Sequence, residues 1–158
     1  MDFVLSDTID GVCVIELKRH GDARGWLSEL HRSDESDHPV AMCYVSLTLP
    51  GVARGPHEHL HQSDYFVFIG PGAFRVYLWD SRRKSPTYLH RMRFEAGEHT
   101  PCAVLVPPGV VHAYKCTSLA GGMVINLPDR LYKGKGRSEE VDEVRHEDVT
   151  QGSPFILD

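Results

Sequence analysis

Cysteine is sparse in this 158-residue chain, and no two cysteines stand close together. The four residues, Cys13, Cys43, Cys102 and Cys116, form no C-x-x-C pair, which argues against a zinc ribbon or a dithiol redox centre. We therefore expect reduced thiols, most of them buried in the core.

An excess of positive charge and long apolar runs are missing as well. The formal net charge is −5 and the basic residues form no stripe, so the composition excludes a general nucleic-acid binder. Nowhere do about 18 apolar residues follow one another, and residues 1–10 contain neither a positive leader nor an apolar run. We expect a cytoplasmic protein that binds neither nucleic acid nor a membrane.

The chain also has no internal repeat, low-complexity tract or linker, and its length suits a single domain over residues 1–158. Short runs rich in valine, tyrosine, phenylalanine and isoleucine recur between turn signals. The predicted strands are 12–17, 42–49, 65–69, 74–79, 88–94, 103–106 and 123–127. This rhythm is typical of an all-β sandwich or barrel.

Two runs differ in pattern, and the end of the chain differs from both. Residues 74–79 show the clearest alternation, whereas residues 65–69 are apolar throughout, as a strand covered on both faces would be.

We place the barrel at about residues 10–132 and a polar C-terminal extension at 133–158. Within the extension, residues 138–148 predict a short helix that packs two valines, Val141 and Val144, against the barrel.

Histidines are the main chemical feature of the sequence. His57, His59 and His61 fall within five residues, and His112 follows a Pro-Pro-Gly turn. Side chains two apart in a strand point to the same face, so His57 and His59 could converge on one cavity, with His61 at its rim. His57, His59 and His112 could act as bases or, together with Asp64, bind one divalent iron, manganese, nickel or zinc ion.

Two segments resemble the motifs of the cupin superfamily. Gly51, then five residues, then His57-x-His59 resembles the first motif, and Gly97 with Pro107-x-Gly109-x-x-His112 resembles the second. The resemblance implies a cupin-type double-stranded β-helix, or jelly roll, whose mouth holds the site.

Within the cupins, three segments resemble the dTDP-4-dehydrorhamnose 3,5-epimerase family. Residues 21–29 are similar to its Asp-x-Arg-Gly-aromatic-x-x-Glu signature, 51–57 to its Gly-Val-x-Arg-Gly-x-His, and 80–88 to its Arg-x-x-Ser-Pro-Thr element. The resemblance implies a homodimeric isomerase that needs no cofactor. Such an enzyme removes and returns a proton at C3 and/or C5 of a 4-keto-6-deoxy sugar nucleotide in polysaccharide biosynthesis.

Carried over position by position, the resemblance assigns roles to matching residues. His57 would be the base, and Arg24 and Arg54 would hold the nucleotide diphosphate, because guanidinium groups bind phosphate oxygens in a bidentate way. Trp26 would stack on the nucleotide base. The other expected substrate contacts are Glu29, Tyr44, His59 and His112. Lys133 and Lys135 are expected in a surface loop, since no helix follows at the spacing of a phosphate-binding loop.

The general acid is the first place where the chain departs from the family. A lysine of the family has no counterpart after the histidines, and the family's catalytic tyrosine is replaced by Ile125 or Asn126. Tyr132 is the favoured acid, with Tyr44 and Tyr114 as alternatives.

The carboxylate that partners the base is the second departure. We assign this role to Asp129, which follows the last predicted strand, and keep the acidic residues Asp142 and Asp148 as alternatives.

Sugar-nucleotide 3,4-ketoisomerases keep a second reaction open. They carry Arg-Gly-x-His-x-His, which residues 54–59 match, and Tyr44 also resembles that group. Both reactions pass through an enediolate or enolate beside the C4 carbonyl. The Ser-Pro-Thr and Asp-x-Arg-Gly elements favour epimerisation. A metal-binding cupin, either an enzyme or a small-ligand binder, is the third possibility.

Overall fold

The computed structural model describes residues 1–149 and 151–158, and within them the chain forms thirteen strands, one 3₁₀ turn at Lys135–Arg137 and no α-helix. The strands are β1 (Val4–Leu5), β2 (Cys13–Glu16), β3 (His20–Asp22), β4 (Gly25–Leu27), β5 (Tyr44–Thr48), β6 (Ala53–Glu58), β7 (Asp64–Phe68), β8 (Ala73–Asp80), β9 (His90–Gly97), β10 (Cys102–Val106), β11 (Val110–Cys116), β12 (Gly122–Asn126) and β13 (Val144–Arg145).

These strands form two large sheets and one separate hairpin. The six-stranded sheet has the order β1-β9-β8-β11-β6-β13, the five-stranded sheet has the order β2-β10-β7-β12-β5, and β3 pairs with β4. Between β5 and β12 the chain crosses from one sheet to the other at every connection except that from β8 to β9. This topology confirms the predicted all-β jelly roll.

The core lies between the two sheets and extends to their outer faces. On β7, alternation directs Phe66 and Phe68 into the central cluster, while Tyr65 and Val67 join a second cluster outside the five-stranded sheet. All four are buried, which confirms a strand covered on both faces. Truncating a core phenylalanine such as Phe68 to alanine typically costs about 3–5 kcal/mol.

Each of the seven predicted runs overlaps an observed strand, but the predicted helix over 138–148 is wrong. The segment is extended, and Val144 and Arg145 pair with Glu58 and His57 of β6. The physical reason is that β6 would otherwise leave unpaired backbone groups at the edge of the six-stranded sheet. β1 and β13 thus join this sheet from outside the predicted barrel range 10–132.

The cysteines match the sequence expectation only in part. All four are free thiols, but Cys13 and Cys43 are exposed and only Cys102 and Cys116 are buried. Among the described residues, no helix is long and apolar enough to cross a lipid bilayer.

The Ser-Pro-Thr element has a structural role in this fold. Asp80, at the end of β8, is fully buried, and its carboxylate accepts hydrogen bonds from Arg82 Nε (2.8 Å), Ser85 Oγ (2.5 Å) and Thr87 Oγ1 (2.6 Å). Burial alone would raise the pKa of Asp80, but these hydrogen bonds lower it to about 2. The buried carboxylate therefore fixes the loop between β8 and β9.

Replacing Asp80 by asparagine should lower the free energy of unfolding by about 1–3 kcal/mol, because it weakens a buried charge-assisted network. Asp34→Asn, in an exposed pair with Arg32, should change it by less than about 1 kcal/mol. Urea unfolding of both variants measures this difference. Since the folded pKa lies below the ordinary 3.8, the Asp80 contribution should fade as the pH falls from about 4 to about 2. An equal loss in both variants would contradict the assignment.

Candidate active site

A cavity of about 1360 Å³ lies at the histidine-bearing end of the barrel. Its wall is formed by parts of β5, β6, β7 and β11 and by the segment 128–147, which follows the last barrel strand. This volume exceeds that of many small-molecule pockets, so the cavity has room for a ligand as large as a nucleotide sugar.

Three of the four predicted histidines lie close together here: His57 and His59 line the cavity, and His112 is buried against His57. His57 lies on β6, and His59 is the first residue after the end of that strand. His112 lies opposite His57 on β11. Ring centroids are 4.5 Å apart for His57 and His112 and 5.9 Å for His57 and His59. Their ligand nitrogens all lie within 4.8 Å of one another. His61 is exposed, as its predicted place at the rim requires.

Gly55 brings β6 and β11 close enough for this arrangement. A Cβ at Gly55 would overlap the carbonyl oxygen of His112, and the φ of 82° is one that glycine adopts at little cost. The register of the two strands shifts just beyond this contact, between His112 and Tyr114. The glycine of the Arg-Gly motif therefore sets the distance between the strands that carry His57 and His112.

Asp64 is the buried carboxylate at the centre of the histidine group. Its Oδ2 lies 3.2 Å from His59 Nε2 and 3.3 Å from His112 Nε2, and its Oδ1 accepts hydrogen bonds from Gln62 (2.9 Å) and Asn126 (2.8 Å). Burial alone would raise the pKa of Asp64, but the adjacent His112 and His59 rings hold it well below its usual range. The carboxylate is therefore ionised at neutral pH.

His59 is held between Asp64 and the C-terminal segment. Its Nδ1 donates a hydrogen bond to the carbonyl oxygen of Asp142, so Nε2 faces Asp64. Burial works against protonation, but Asp64 and Asp142 together raise the pKa of His59 to about 9. The Asp142 carboxylate also accepts hydrogen bonds from the backbone N–H groups of residues 60–62. The C-terminal segment thus fixes both the ring and the loop beside it.

His57 has the opposite electrostatic environment. Burial, followed by the neighbouring His112 and His59, lowers the pKa of His57 to about 2. The ring is therefore neutral and has a lone pair available to accept a proton. Its Nδ1 is buried without a hydrogen-bond partner, and carboxylate oxygens of Glu143 and Glu147 each lie 3.7 Å away.

The structure does not bring Asp129 to His57. The Asp129 carboxylate accepts a hydrogen bond from the backbone N–H of Ser63, although the residue does line the cavity. Within the described residues, the carboxylates within 4.0 Å of His57 are those of Glu143 and Glu147. Sequence reasoning missed both because a helix was predicted there, whereas pairing of the intervening β13 with β6 carries them to the base.

Three phenols lie on the cavity wall: Tyr44, Tyr114 and Tyr132. Tyr44 Oη accepts a hydrogen bond from Asn126 Nδ2 (2.9 Å), and burial raises the pKa of Tyr44 to about 12. Of the two residues expected at the family's tyrosine position, Asn126 faces Asp64, while Ile125 packs on the outside of the sheet.

The predicted substrate contacts divide into two groups. Arg54 lines the cavity, where it donates to Thr48 Oγ1 (3.0 Å). Arg24, Trp26 and Glu29 lie on or just after the β3–β4 hairpin and do not line the cavity of their own chain. Arg24 is 90% exposed and pairs with Asp22, Trp26 lies beneath the guanidinium of Arg19, and Glu29 pairs with Arg32.

Comparisons with known proteins identify relatives in sequence and in fold. Two curated relatives are similar in sequence: the probable low-salt glycan biosynthesis epimerase of Haloferax volcanii (36% identity, 84% of this chain and 86% of the relative) and the spore coat polysaccharide biosynthesis protein SpsL of Bacillus subtilis (38% identity, 68% and 71%). The crystal structure of a dTDP sugar isomerase from Desulfovibrio desulfuricans G20 superposes with a TM-score of 0.79 at 23% identity, covering 95% of this chain and 90% of that one. A 3'-monoepimerase from Streptomyces bikiniensis in complex with dTDP-quinovose gives a TM-score of 0.75 at 23% identity, covering 92% of this chain and 72% of that one.

The family profile described as dTDP-4-dehydrorhamnose 3,5-epimerase matches residues 6–148, which include every strand from β2 to β13. With a match over nearly the whole chain and a relative of 36% identity over most of its length, the chain belongs to the dTDP-4-dehydrorhamnose 3,5-epimerase family of sugar-nucleotide epimerases.

Proposed function

We propose that this protein epimerises a 4-keto-6-deoxy sugar nucleotide, with His57 as the base that removes a proton at C3 and/or C5. The observation that carries the proposal is the neutral, buried His57 ring, which faces a nucleotide-sugar-sized cavity and has two carboxylates behind it. Family membership and the dTDP-sugar ligands of its structural relatives support the substrate class.

The chemistry follows from the two ring nitrogens of His57. Nδ1 points toward Glu143 and Glu147, which leaves Nε2 for the substrate. A proton next to the C4 ketone is acidic because its electron pair moves onto the ketone oxygen as an enolate. When His57 accepts this proton it becomes a cation, which the two glutamates stabilise. The imidazolium of His59 places a positive charge beside the site where the enolate forms.

The proton must return from the opposite face of the sugar ring, and we assign this step to Tyr132. It lines the cavity on the segment that follows β12, whereas Asn126 leaves no phenol at the family's usual position. Tyr44 is the alternative, because Asn126 donates to its oxygen and thereby leaves the phenolic proton free to point elsewhere. Tyr44 on the cavity wall and the Arg-Gly-x-His-x-His match at residues 54–59 keep 3,4-ketoisomerisation as the alternative reaction.

A metal-binding cupin is the second candidate function, and one observation favours it. The nitrogens of His57, His59 and His112 converge within 4.8 Å, and Asp64 Oδ2 contacts two of the rings. Three imidazoles and one carboxylate fit a divalent iron, manganese, nickel or zinc ion, which would act as a Lewis acid when bound. Such an ion would take the lone pair that a base needs, so the two functions exclude each other.

We further propose a homodimer in which the β3–β4 hairpin completes the cavity of the partner. Its residues pair with neither large sheet, and Trp26 and Leu27 are 54% and 64% exposed. Apolar side chains in such positions are typical of a surface that a partner covers. This arrangement would place Arg24 and Trp26 near a substrate although they lie outside their own chain's cavity.

His57→Asn should reduce enzyme-dependent deuterium incorporation into dTDP-4-keto-6-deoxyglucose in deuterated water by at least about 100-fold, because the base is lost. Binding of dTDP should remain, and the exposed His61→Asn should behave as wild type. Proton NMR locates the deuterium and identifies the product as an epimer or a ketoisomer. Undiminished exchange in His57→Asn would refute the base assignment.

Exchange that stops with a chelator and returns with one of the four metals would favour the metal-dependent function.

The double variant Glu143→Gln, Glu147→Gln should lower kcat at least about tenfold with little change in KM, because the protonated base loses its counter-charge. Steady-state exchange rates over a range of substrate concentrations separate the two constants. Glu95→Gln makes the same chemical change in the Arg75 ion pair outside the cavity and should have no effect. An unchanged kcat in the double variant would mean that the glutamates do not assist His57.

Trp26→Ala should convert the dimer to a monomer with reduced activity, as measured by light scattering coupled to size-exclusion chromatography. Leu119→Ala removes an even more exposed apolar side chain from a loop and should leave the dimer intact. Mixing inactive Arg24→Ala and His57→Asn subunits should restore part of the activity, because the hybrid dimer contains one complete site. A monomeric wild-type protein, or a mixture without activity, would contradict the exchanged hairpin.

A further inference from the structure

The segment Tyr132–Arg137, here called the cationic loop, is a defined turn. Gly134 N–H donates to the Leu131 carbonyl (2.9 Å), Arg137 N–H to the Gly134 carbonyl (3.2 Å), and Glu139 N–H to the Lys133 carbonyl (2.8 Å). These bonds close the backbone on both sides of the loop, so its cations project from a fixed frame.

Two residues of the cationic loop adopt a backbone conformation that usually belongs to glycine. Lys133 has φ 58° and Arg137 has φ 60°, and the glycines between them, Gly134 and Gly136, are also positive. For a residue with a Cβ this region costs about 1–2 kcal/mol. Such residues concentrate at ligand-binding sites, where the surrounding structure maintains them.

Every residue of the cationic loop lines the active-site cavity, and Lys133 and Lys135 are at the same time exposed, as expected of a surface loop. Within the part of the chain that the structure describes, no carboxylate comes within 4.0 Å of the charged groups of Lys133, Lys135 or Arg137. Seven other arginines have such a partner among the described residues, whereas Lys18, Lys84 and Lys115 have none. The cationic loop thus adds three positively charged side chains to the cavity wall.

The acidic groups of the same wall are mostly committed to other contacts. The Asp64 carboxylate pairs with His59 and His112, while the Asp129 and Asp142 carboxylates accept hydrogen bonds from backbone N–H groups. Glu139 differs, because its carboxylate packs against Gly134 so closely that a Cβ there would overlap it. It is a negative charge held directly against the cationic loop, where it opposes the binding of an anion.

We infer that the cationic loop binds the diphosphate of the substrate within the same chain; this rests on the proposed function. Among the two predicted anchors, Arg24 lies outside this cavity, and Arg54 already uses Nε for Thr48 and Nη2 for the Leu47 carbonyl. The loop therefore supplies the positive charge that a diphosphate requires. Its side chains do so without the helix N-terminus on which phosphate-binding glycine loops depend.

Binding of dTDP and of inorganic pyrophosphate by isothermal titration calorimetry tests the inference. The triple variant Lys133→Ala, Lys135→Ala, Arg137→Ala should bind dTDP at least about tenfold more weakly, with a shallower dependence on salt. The control Lys18→Ala, Arg83→Ala, Lys84→Ala makes the same charge change at exposed positions off the cavity wall and should bind as wild type.

The variant Glu139→Gln should change the affinity in the opposite direction, and it leaves the three cations of the loop in place. It should tighten pyrophosphate binding several-fold, because a like charge is removed from the loop. Equal dTDP affinity in wild type and triple variant, or unchanged pyrophosphate affinity in Glu139→Gln, would overturn the loop assignment alone. A wild-type protein that binds neither dTDP nor pyrophosphate would instead contradict the proposed substrate class, and the loop assignment with it.

Discussion

The buried Asp64 carboxylate is the interaction on which the rest of the site depends. A charge removed from water is tolerated only when it is paired and hydrogen-bonded, and Asp64 meets this need with His59, His112, Gln62 and Asn126. These partners come from different parts of the two sheets, so satisfying one charge fixes the end of the barrel. The same pairing retains a proton on His59, and the resulting positive charge helps to keep the neighbouring His57 neutral.

The segment after the barrel is as much a part of this arrangement as the barrel strands. Asp142 accepts a hydrogen bond from His59 and three from the loop after β6, while β13 extends the sheet at His57. Because β13 pairs at this register, Glu143 and Glu147, on either side of the paired residues, lie beside His57. An edge strand can thus place carboxylates next to a histidine of the barrel.

Local patterns were predictable from the sequence, whereas contacts that depend on long-range strand pairing were not. Strand positions and the shared direction of His57 and His59 follow from side-chain alternation, a local property, whereas the approach of His112 is expected only from the resemblance to the second cupin motif. The carboxylates beside His57 depend on the pairing of residues about ninety positions apart, and valines at positions 141 and 144 have the three-residue spacing of a helix face, which gives no sign of a strand. Likewise, Ser85 and Thr87 match a family motif, but only the structure shows that their hydroxyls serve the buried Asp80.

The distribution of charge along the cavity connects binding with chemistry. At one end His57 is neutral and flanked by carboxylates, so a charge develops on its ring only when a proton is transferred. Cations without carboxylate partners line another part of the same wall, where a diphosphate would carry its charge throughout the reaction. On the proposed function, separating the permanent charge from the transient one would let the loop bind ground and transition states equally and so lower KM, while the histidine end would act on the barrier.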